Sequence, residues 1–208
     1  MMFPKLFSAS SFKQYCYTGE ATGSLSDSYG IFEFRELSAN DFLNHAIFSV
    51  KNRAQRYLSH LENGHRCFGF QNKTGEIVSY FWLSMASEDR TLSIPFFKGS
   101  DWLLSPGEAY IWDCRTDSTY CRRGLYRAGL KRLIALCQQQ QVSKIMMSAE
   151  LKNYASNAGI MSAGFALCGA VRLLRVSVFK FVFCQHKKPK LSRLLTPLLT
   201  SDVFPVVL

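Results

Sequence analysis

Apolar residues first fall into a clear period at Leu43, Ala46, Ile47, Val50, Ala54, Tyr57, Leu58 and Leu61, the spacing of one helix face. Ser38 and Asp41 supply a capping-box start and Gly64 a stop, so residues 38–63 are predicted as one long helix or two short ones. Two strands follow at 66–71 and 76–83, joined by the turn residues Asn72-Lys73-Thr74-Gly75. Residues 86–107, with Pro95, Gly99, Pro106 and Gly107, have no period and read as a long excursion. Residues 109–115 alternate, with Tyr110, Trp112 and Cys114 on one face and Ile111, Asp113 and Arg115 on the other. A polar loop then leads to a helix over 124–141, whose buried stripe is Tyr126, Leu130, Leu133, Ile134 and Cys137.

The rest of the chain reads as a strand at 142–149, a helix at 153–163 stopped by Gly164, and strands at 165–168 and 171–184 across Gly169. A short strand at 31–35 precedes the first helix. Residues 1–30, rich in Ser, Thr, Tyr and Gly, are expected to form an irregular arm, and 185–208 a basic and then Leu-rich tail. The domain therefore spans 31–184. Its element order implies an α/β fold: a mixed, mostly antiparallel sheet of about seven strands with helices on both faces.

Composition narrows the partners. Lys and Arg number 25 against 15 Asp and Glu, a formal charge of +10 over 208 residues, which suits an anionic partner: nucleic acid, an acidic lipid surface or a phosphate-rich cofactor. Hydrophobic residues make up 48%, enough for a full core. The seven cysteines are scattered and odd in number, which indicates neither a zinc site nor a disulfide framework and reads as a reducing compartment. His45, His60, His65 and His186 have no metal-ligand spacing, so no metal is expected. Residues 1–13 lack the long apolar core of a signal peptide, and no stretch reaches about 18 uninterrupted apolar residues, the length that spans a bilayer. Cytoplasmic is the expected location.

The loop before the second long helix carries Cys121-Arg122-Arg123-Gly124-Leu125-Tyr126. At a strand–loop–helix junction the first N–H groups of the helix are unpaired and the helix dipole is positive, so phosphate oxygens are held there. Gly124 lets backbone approach a ligand. The plain alternative is a helix start with a solvated basic face of Arg123, Arg127 and Lys131. Further on stand Asn153-x-x-Ser156 and Gly164-Phe165. Together these segments resemble the acetyl-CoA loop (Q/R-x-x-G-x-G/A) and the second signature (N-x-x-S/A…G-F) of GCN5-related N-acetyltransferases, the GNAT family, over about residues 31–184. The resemblance implies two parallel strands, 109–115 and 142–149, that splay at a bulge around the pantetheine of acetyl-CoA. It implies cofactor contacts from Cys114, Arg115 and Thr116, from Cys121 through Tyr126, and from Asn153 and Ser156. Three departures stand out: Cys121 at the Q/R position, Tyr126 where Gly or Ala is strictest, and Ile160 where many members place a thiolate-protonating Tyr.

Acyl transfer to an amine needs a base and a polarised carbonyl. Asp113 is the favoured base over Glu108, Glu76 and Glu150, because an acid between Trp112 and Cys114 faces something specific; otherwise it pairs with an Arg such as Arg115 or is solvated. Tyr80 is a candidate acid or binding group, with Tyr110 beside it, and each also reads as a core aromatic. The expected function is transfer of acetyl from acetyl-CoA to a primary amine of a small molecule or protein. The alternatives are a degenerate GNAT-fold protein that binds CoA or a partner without turnover, and a module that binds nucleic acid or membrane. Nucleic acid is not the expected partner. Lys187, Lys188, Lys190 and Arg193 are a candidate contact for an acidic membrane surface, or else a solvated tail.

Overall fold

In the computed structural model, residues 7–19, 28–50, 52–87, 92–93, 103–176, 179–186 and 206–207 are described. Their strands are β1 (Phe7–Tyr17), β2 (Ser28–Tyr29), β3 (Phe32–Glu36), β4 (Arg66–Gln71), β5 (Ile77–Met85), β6 (Leu92–Ser93), β7 (Leu103–Leu104), β8 (Glu108–Thr116), β9 (Lys144–Glu150), β10 (Ala166–Val176), β11 (Phe179–His186) and β12 (Val206–Val207). The helices are α1 (Ala39–Asn44), α2 (Arg53–Glu62), α3 (Leu125–Gln139) and α4 (Tyr154–Ser162). Ten strands form one sheet in the order β12-β11-β10-β1-β9-β8-β5-β4-β3-β2. Every pairing in that sheet among the described residues is antiparallel except β8 with β9. The mixed, mostly antiparallel architecture expected from the sequence is present.

Two cores lie on opposite sides of this sheet. On one, α3 and α4 press Leu125, Leu130, Leu133, Cys137 and Ile160 onto Phe81, Ile111 and Met147. On the other, α1 and α2 press Phe42 and Tyr57 onto Tyr80, Trp82, Tyr110 and Trp112. The second side is a continuous aromatic stack: Trp82 lies parallel to Trp112 at 5.1 Å and meets Tyr57 edge-on at 5.1 Å. The helical segment at 38–63 resolves into two helices, because His45 is extended and Asn52 is left-handed at φ 59°. Asp41 caps the start of the first of them. It accepts from Ser38 N–H at 2.7 Å and pairs with Arg35, whose guanidinium holds the Asp41 carboxyl well below the usual carboxylate range.

Three sequence expectations need correction. First, Phe7–Tyr17 is no irregular arm. It is an interior strand, antiparallel to both β9 and β10. Both of its faces are covered, with Phe12 on the aromatic side and Tyr15 on the other, so it lacks the apolar–polar contrast that marks a half-exposed strand. Second, Cys16 of β1 and Cys168 of β10 form a disulfide across 152 residues of sequence. A pair so far apart has no spacing signal; only the insertion of β1 makes them neighbours. Third, β10 runs straight through Gly169 to Val176, so Gly169 is not a turn. The basic run from Lys187 to Arg193 lies outside the described residues, as do the side chains of Phe179, Phe181 and Phe183.

Candidate functional site

The one parallel pair is hydrogen-bonded from Glu108↔Lys144 to Ile111↔Met147 and no further, although β8 continues to Thr116 and β9 to Glu150. The strands therefore part after Ile111 and Met147. The cause is visible on the other edge of β8. Its register with β5 passes from Trp112↔Trp82 to Arg115↔Tyr80, three residues against two, which is a β-bulge. Asp113 sits in it at φ 40°. The extra residue reverses the alternation: Trp112 and Asp113 share the α1/α2 side, while Cys114 turns to the α3/α4 core. The even alternation expected through residue 115 thus fails at Asp113, and Cys114 and Asp113 exchange faces. Burial pushes the Cys114 thiol up and keeps it protonated.

On the α3/α4 side, the loop after β8 is tied down by Asp117, whose carboxylate accepts from Thr119 N–H at 2.9 Å. Cys121 is exposed, and its thiol donates to the Asp117 carbonyl. Arg122 and Gly124 are both left-handed, at φ 62° and 78°, and Arg123 stacks its guanidinium over the Tyr120 ring at 5.0 Å. The first α3 hydrogen bond runs from Ala128 N–H to Gly124 C=O. The N–H groups of Leu125, Tyr126 and Arg127 therefore project from the helix end without helical acceptors. This end is a cradle of backbone donors ringed by arginines, and it fits a pyrophosphate. Tyr126 does not point into solvent. Its ring stacks on Phe81 and its hydroxyl lies 3.0 Å from the Ser156 hydroxyl. Gly159 makes room for that ring, since a Cβ there would stand 2.5 Å from Tyr126 Cδ1.

Asn153 and Ser156 both begin α4. Asn153 Oδ1 accepts from Ser156 N–H at 3.1 Å, an N-cap bond. Ile160 is fully buried in the α3/α4 core. A side chain there serves packing, and Ile donates no proton.

The α1/α2 side carries the ionisable groups. Tyr57 donates to Asp113 Oδ2 at 2.6 Å, and its hydroxyl lies 2.9 Å from that of Tyr80. Both tyrosines are fully buried, and burial raises Tyr57 strongly and pushes Tyr80 up to about 12, so both stay neutral hydroxyls at working pH. Asp113 itself keeps 38% of its side chain exposed. Its cationic neighbour is Arg56 at 3.8 Å, not Arg115. The competing acids are placed elsewhere. Glu108 pairs with Lys144 at 2.9 Å, Glu76 is held in the hairpin turn by Asn72 and Thr74, and Glu150 ends β9 in solvent. Tyr110 is a core aromatic. His65 is buried, with Nδ1 2.8 Å from Ser84 Oγ.

Sequence reasoning missed Tyr57 as a site residue, since it reads as one more apolar position of a helix and its partner is 56 residues away. It also missed Asn157. That residue accepts from the Tyr15 hydroxyl at 2.7 Å and donates to the Glu150 carbonyl at 2.9 Å, which locks β1, β9 and α4 together beside the gap.

The family model described as Acetyltransferase (GNAT) family matches residues 31–165. No curated protein matches the chain. Among solved structures, an acetyltransferase of the GNAT family from Colwellia psychrerythraea superposes with a TM-score of 0.55 at 16% identity, over 81% of this chain and 55% of its own. A GCN5-related N-acetyltransferase from Sphaerobacter thermophilus gives 0.55 at 12% identity, over 81% and 51%. The chain thus spans about half the length of these two structures. At such identities the likeness is one of fold.

Proposed function

The chain belongs to the GNAT acetyltransferase family, and from that premise we propose that it moves an acetyl group from acetyl-CoA to a primary amine, with Asp113 as the base. The observation that carries this reading is the bulge at Asp113. One inserted residue opens the β8–β9 gap and, by the same act, turns a carboxylate toward the side of the sheet opposite the phosphate cradle.

Bound acetyl-CoA would supply the acetyl group as an activated thioester. The backbone from Cys121 to Tyr126 would hold its pyrophosphate, and the free backbone edges of Cys114, Arg115 and Thr116 would pair with its pantetheine, with Asn153 and Ser156 alongside. Asp113 removes a proton from the acceptor ammonium, directly or through a water, and passes it to solvent. Tyr57 fixes the orientation of the carboxylate through its 2.6 Å bond, and Tyr80 in turn fixes Tyr57. The new C–N bond would form as the C–S bond breaks; the attacking nitrogen gives up its second proton to solvent, and the departing thiolate takes one up from solvent.

The test is thiol release from acetyl-CoA with a panel of primary amines, read against Asp113→Asn. Amine-dependent release that falls by about 10²–10³ in the variant supports the assignment; equal rates in the two proteins reject Asp113. A second reading, a CoA-binding protein without turnover, is favoured by the burial of Ile160, which leaves no acid at that helix position. It predicts CoA binding with no amine-dependent release.

A further inference from the structure

The acceptor side of the bulge is more basic than one carboxylate base requires. Arg53 and Arg56 lie in the first turn of α2, on the side that carries Tyr57 to Tyr80 and Asp113. Arg56 Nη2 is 3.8 Å from Asp113 Oδ2, with 59% of its side chain exposed. Arg53 gives one N–H to the Ile47 carbonyl at 2.8 Å. Arg115 is exposed and pairs directly across from Tyr80, which places its side chain on the same side of the sheet. The charges of Arg53 and Arg115 both reach the Tyr80 hydroxyl. Neither forms an ion pair among the described residues; Asp117, the acid next along from Arg115, is engaged with Thr119 of its own loop. One guanidinium, that of Arg56, thus stands beside the carboxylate and two more lie near the neighbouring Tyr80, an excess of positive charge where a cationic substrate has to arrive.

The far wall of the gap is built for hydrogen-bond donors. Ser148 is the first β9 residue past the last parallel pair, and Gln14 of β1 pairs with it directly. The buried Oγ of Ser148 and the Oε1 of Gln14, whose residue is 1% exposed, have no hydrogen-bond partner among the described residues. Buried acceptors left open in this way are costly unless something supplies donors.

We infer that the acceptor is a small amine that carries its own carboxylate: its ammonium is taken between Asp113 and the open oxygens of Ser148 and Gln14, and its carboxylate by Arg56 and Arg115, with Arg53 adding charge. A simple or polycationic amine would be repelled by the arginines. An amine with an attached carboxylate offers each sign to its complement, and guanidinium is suited to two-point recognition of carboxylate. This substrate class rests on the transferase reading and makes it more specific.

The experiment compares matched amines in the thiol-release assay: 4-aminobutyrate against butylamine, glycine against glycinamide at equal free-amine concentration, and spermidine as the polycation. The expected result is a kcat/KM about tenfold or more higher for each carboxylate-bearing amine, the ratio one charge-assisted contact gives. That ratio should collapse toward unity in the Arg56→Gln, Arg115→Gln double variant. A thermal scan with saturating CoA supplies a readout without turnover. N-acetyl-4-aminobutyrate should raise the melting temperature of the wild type, N-butylacetamide should not, and the double variant should respond to neither. Equal or better use of butylamine or spermidine overturns the inference and leaves the transferase reading standing. So does a double variant whose only loss is affinity for CoA, since the arginines would then serve the cofactor. A wild type that binds no CoA overturns the transferase reading, and this inference with it.

Discussion

The two sides of the sheet solve their binding problems with different materials. On the α3/α4 side the cradle is backbone: the N–H groups of Leu125 to Arg127 and two left-handed residues, Arg122 and Gly124. On the α1/α2 side the site is side chains on separate elements: Asp113 from β8, Tyr80 from β5, Arg56 and Tyr57 from α2. A backbone site tolerates changes of side chain and fails when a conformation is lost. A side-chain site keeps its shape through many substitutions and fails when a particular atom is removed. Mutations on the two sides should therefore separate cleanly into losses of cofactor affinity and losses of turnover.

The largest effect is expected from Gly124→Asp. The new carboxylate sits in the phosphate cradle, and its Cβ meets the Tyr29 hydroxyl at 2.6 Å in a backbone conformation at φ 78° that costs a non-glycine residue roughly 1 kcal/mol. CoA affinity measured by calorimetry should fall by more than about 100-fold, since each charge-assisted bond lost is worth roughly 1.5–3 kcal/mol. Unaltered affinity would show that the pyrophosphate lies elsewhere. Arg122→Ala should do far less, because the contribution of that residue is its main chain.

Tyr57→Phe sharpens the other side. It removes the donor to Asp113 and the partner of Tyr80 while keeping the ring in the aromatic stack. The expectation is a drop in kcat of about tenfold with CoA affinity unchanged, and a stability loss of about 1–3 kcal/mol for the bonds vacated in a buried site. A fall in CoA affinity without a fall in kcat would merge the two sides.

Ile160→Tyr tests whether the α3/α4 side has room for an acid where many relatives in the family carry one. Ile160 has no exposed surface, so the larger side chain should overpack the core and lower stability by about 1–3 kcal/mol in a denaturant melt, with no gain in turnover. A stable variant with faster thiol release would mean that this position lines the cleft.

The smallest effect concerns the α1 cap. Because Arg35 depresses the Asp41 carboxyl, the contribution of this pair is fully present above the unfolded value of about 3.9 and is lost as pH falls below it toward the depressed folded value. Asp41→Asn should cost roughly 1–2 kcal/mol at neutral pH, and the gap from wild type should narrow on acidification below about pH 4. A gap of unchanged size between pH 4 and pH 2 would assign the effect to helix capping alone.

The same division of materials explains what could be read from the chain. The phosphate loop is contiguous, and its order of strand, arginine-rich loop, glycine and helix survives in one dimension. So do Asn153, Ser156 and the Gly164-Phe165 pair. Asp113 was legible as an acid in an apolar strand, but not the direction it takes, because a bulge leaves no mark on composition. Tyr57 and Arg56 could not be found, since they meet Asp113 only through packing of α2 on the sheet. β1 was illegible for a different reason: a strand covered on both faces and opening on Phe-Ser-Ala-Ser-Ser offers no alternation to detect.

The placement of β1 has a kinetic consequence. Phe7 pairs with Val176, and Phe12 with both Val171 and Glu150. The strand that fills the middle of the sheet is among the first segments of the domain to be synthesised, yet its two neighbours are made more than a hundred residues later. At roughly 5–20 residues per second on the ribosome, β1 waits on the order of ten seconds for partners. Contacts of such long range slow folding, because chain closure is paid for before the pairing rewards it. The slot between β9 and β10 is therefore expected to be the last part of the sheet to close. Until it does, β9, which forms one wall of the gap beside β8, has an open edge, and the hydroxyl of Tyr15 has not yet reached Asn157. The far wall of the gap should be completed with the docking of the N-terminal strand, later than the compaction of the helices on either side.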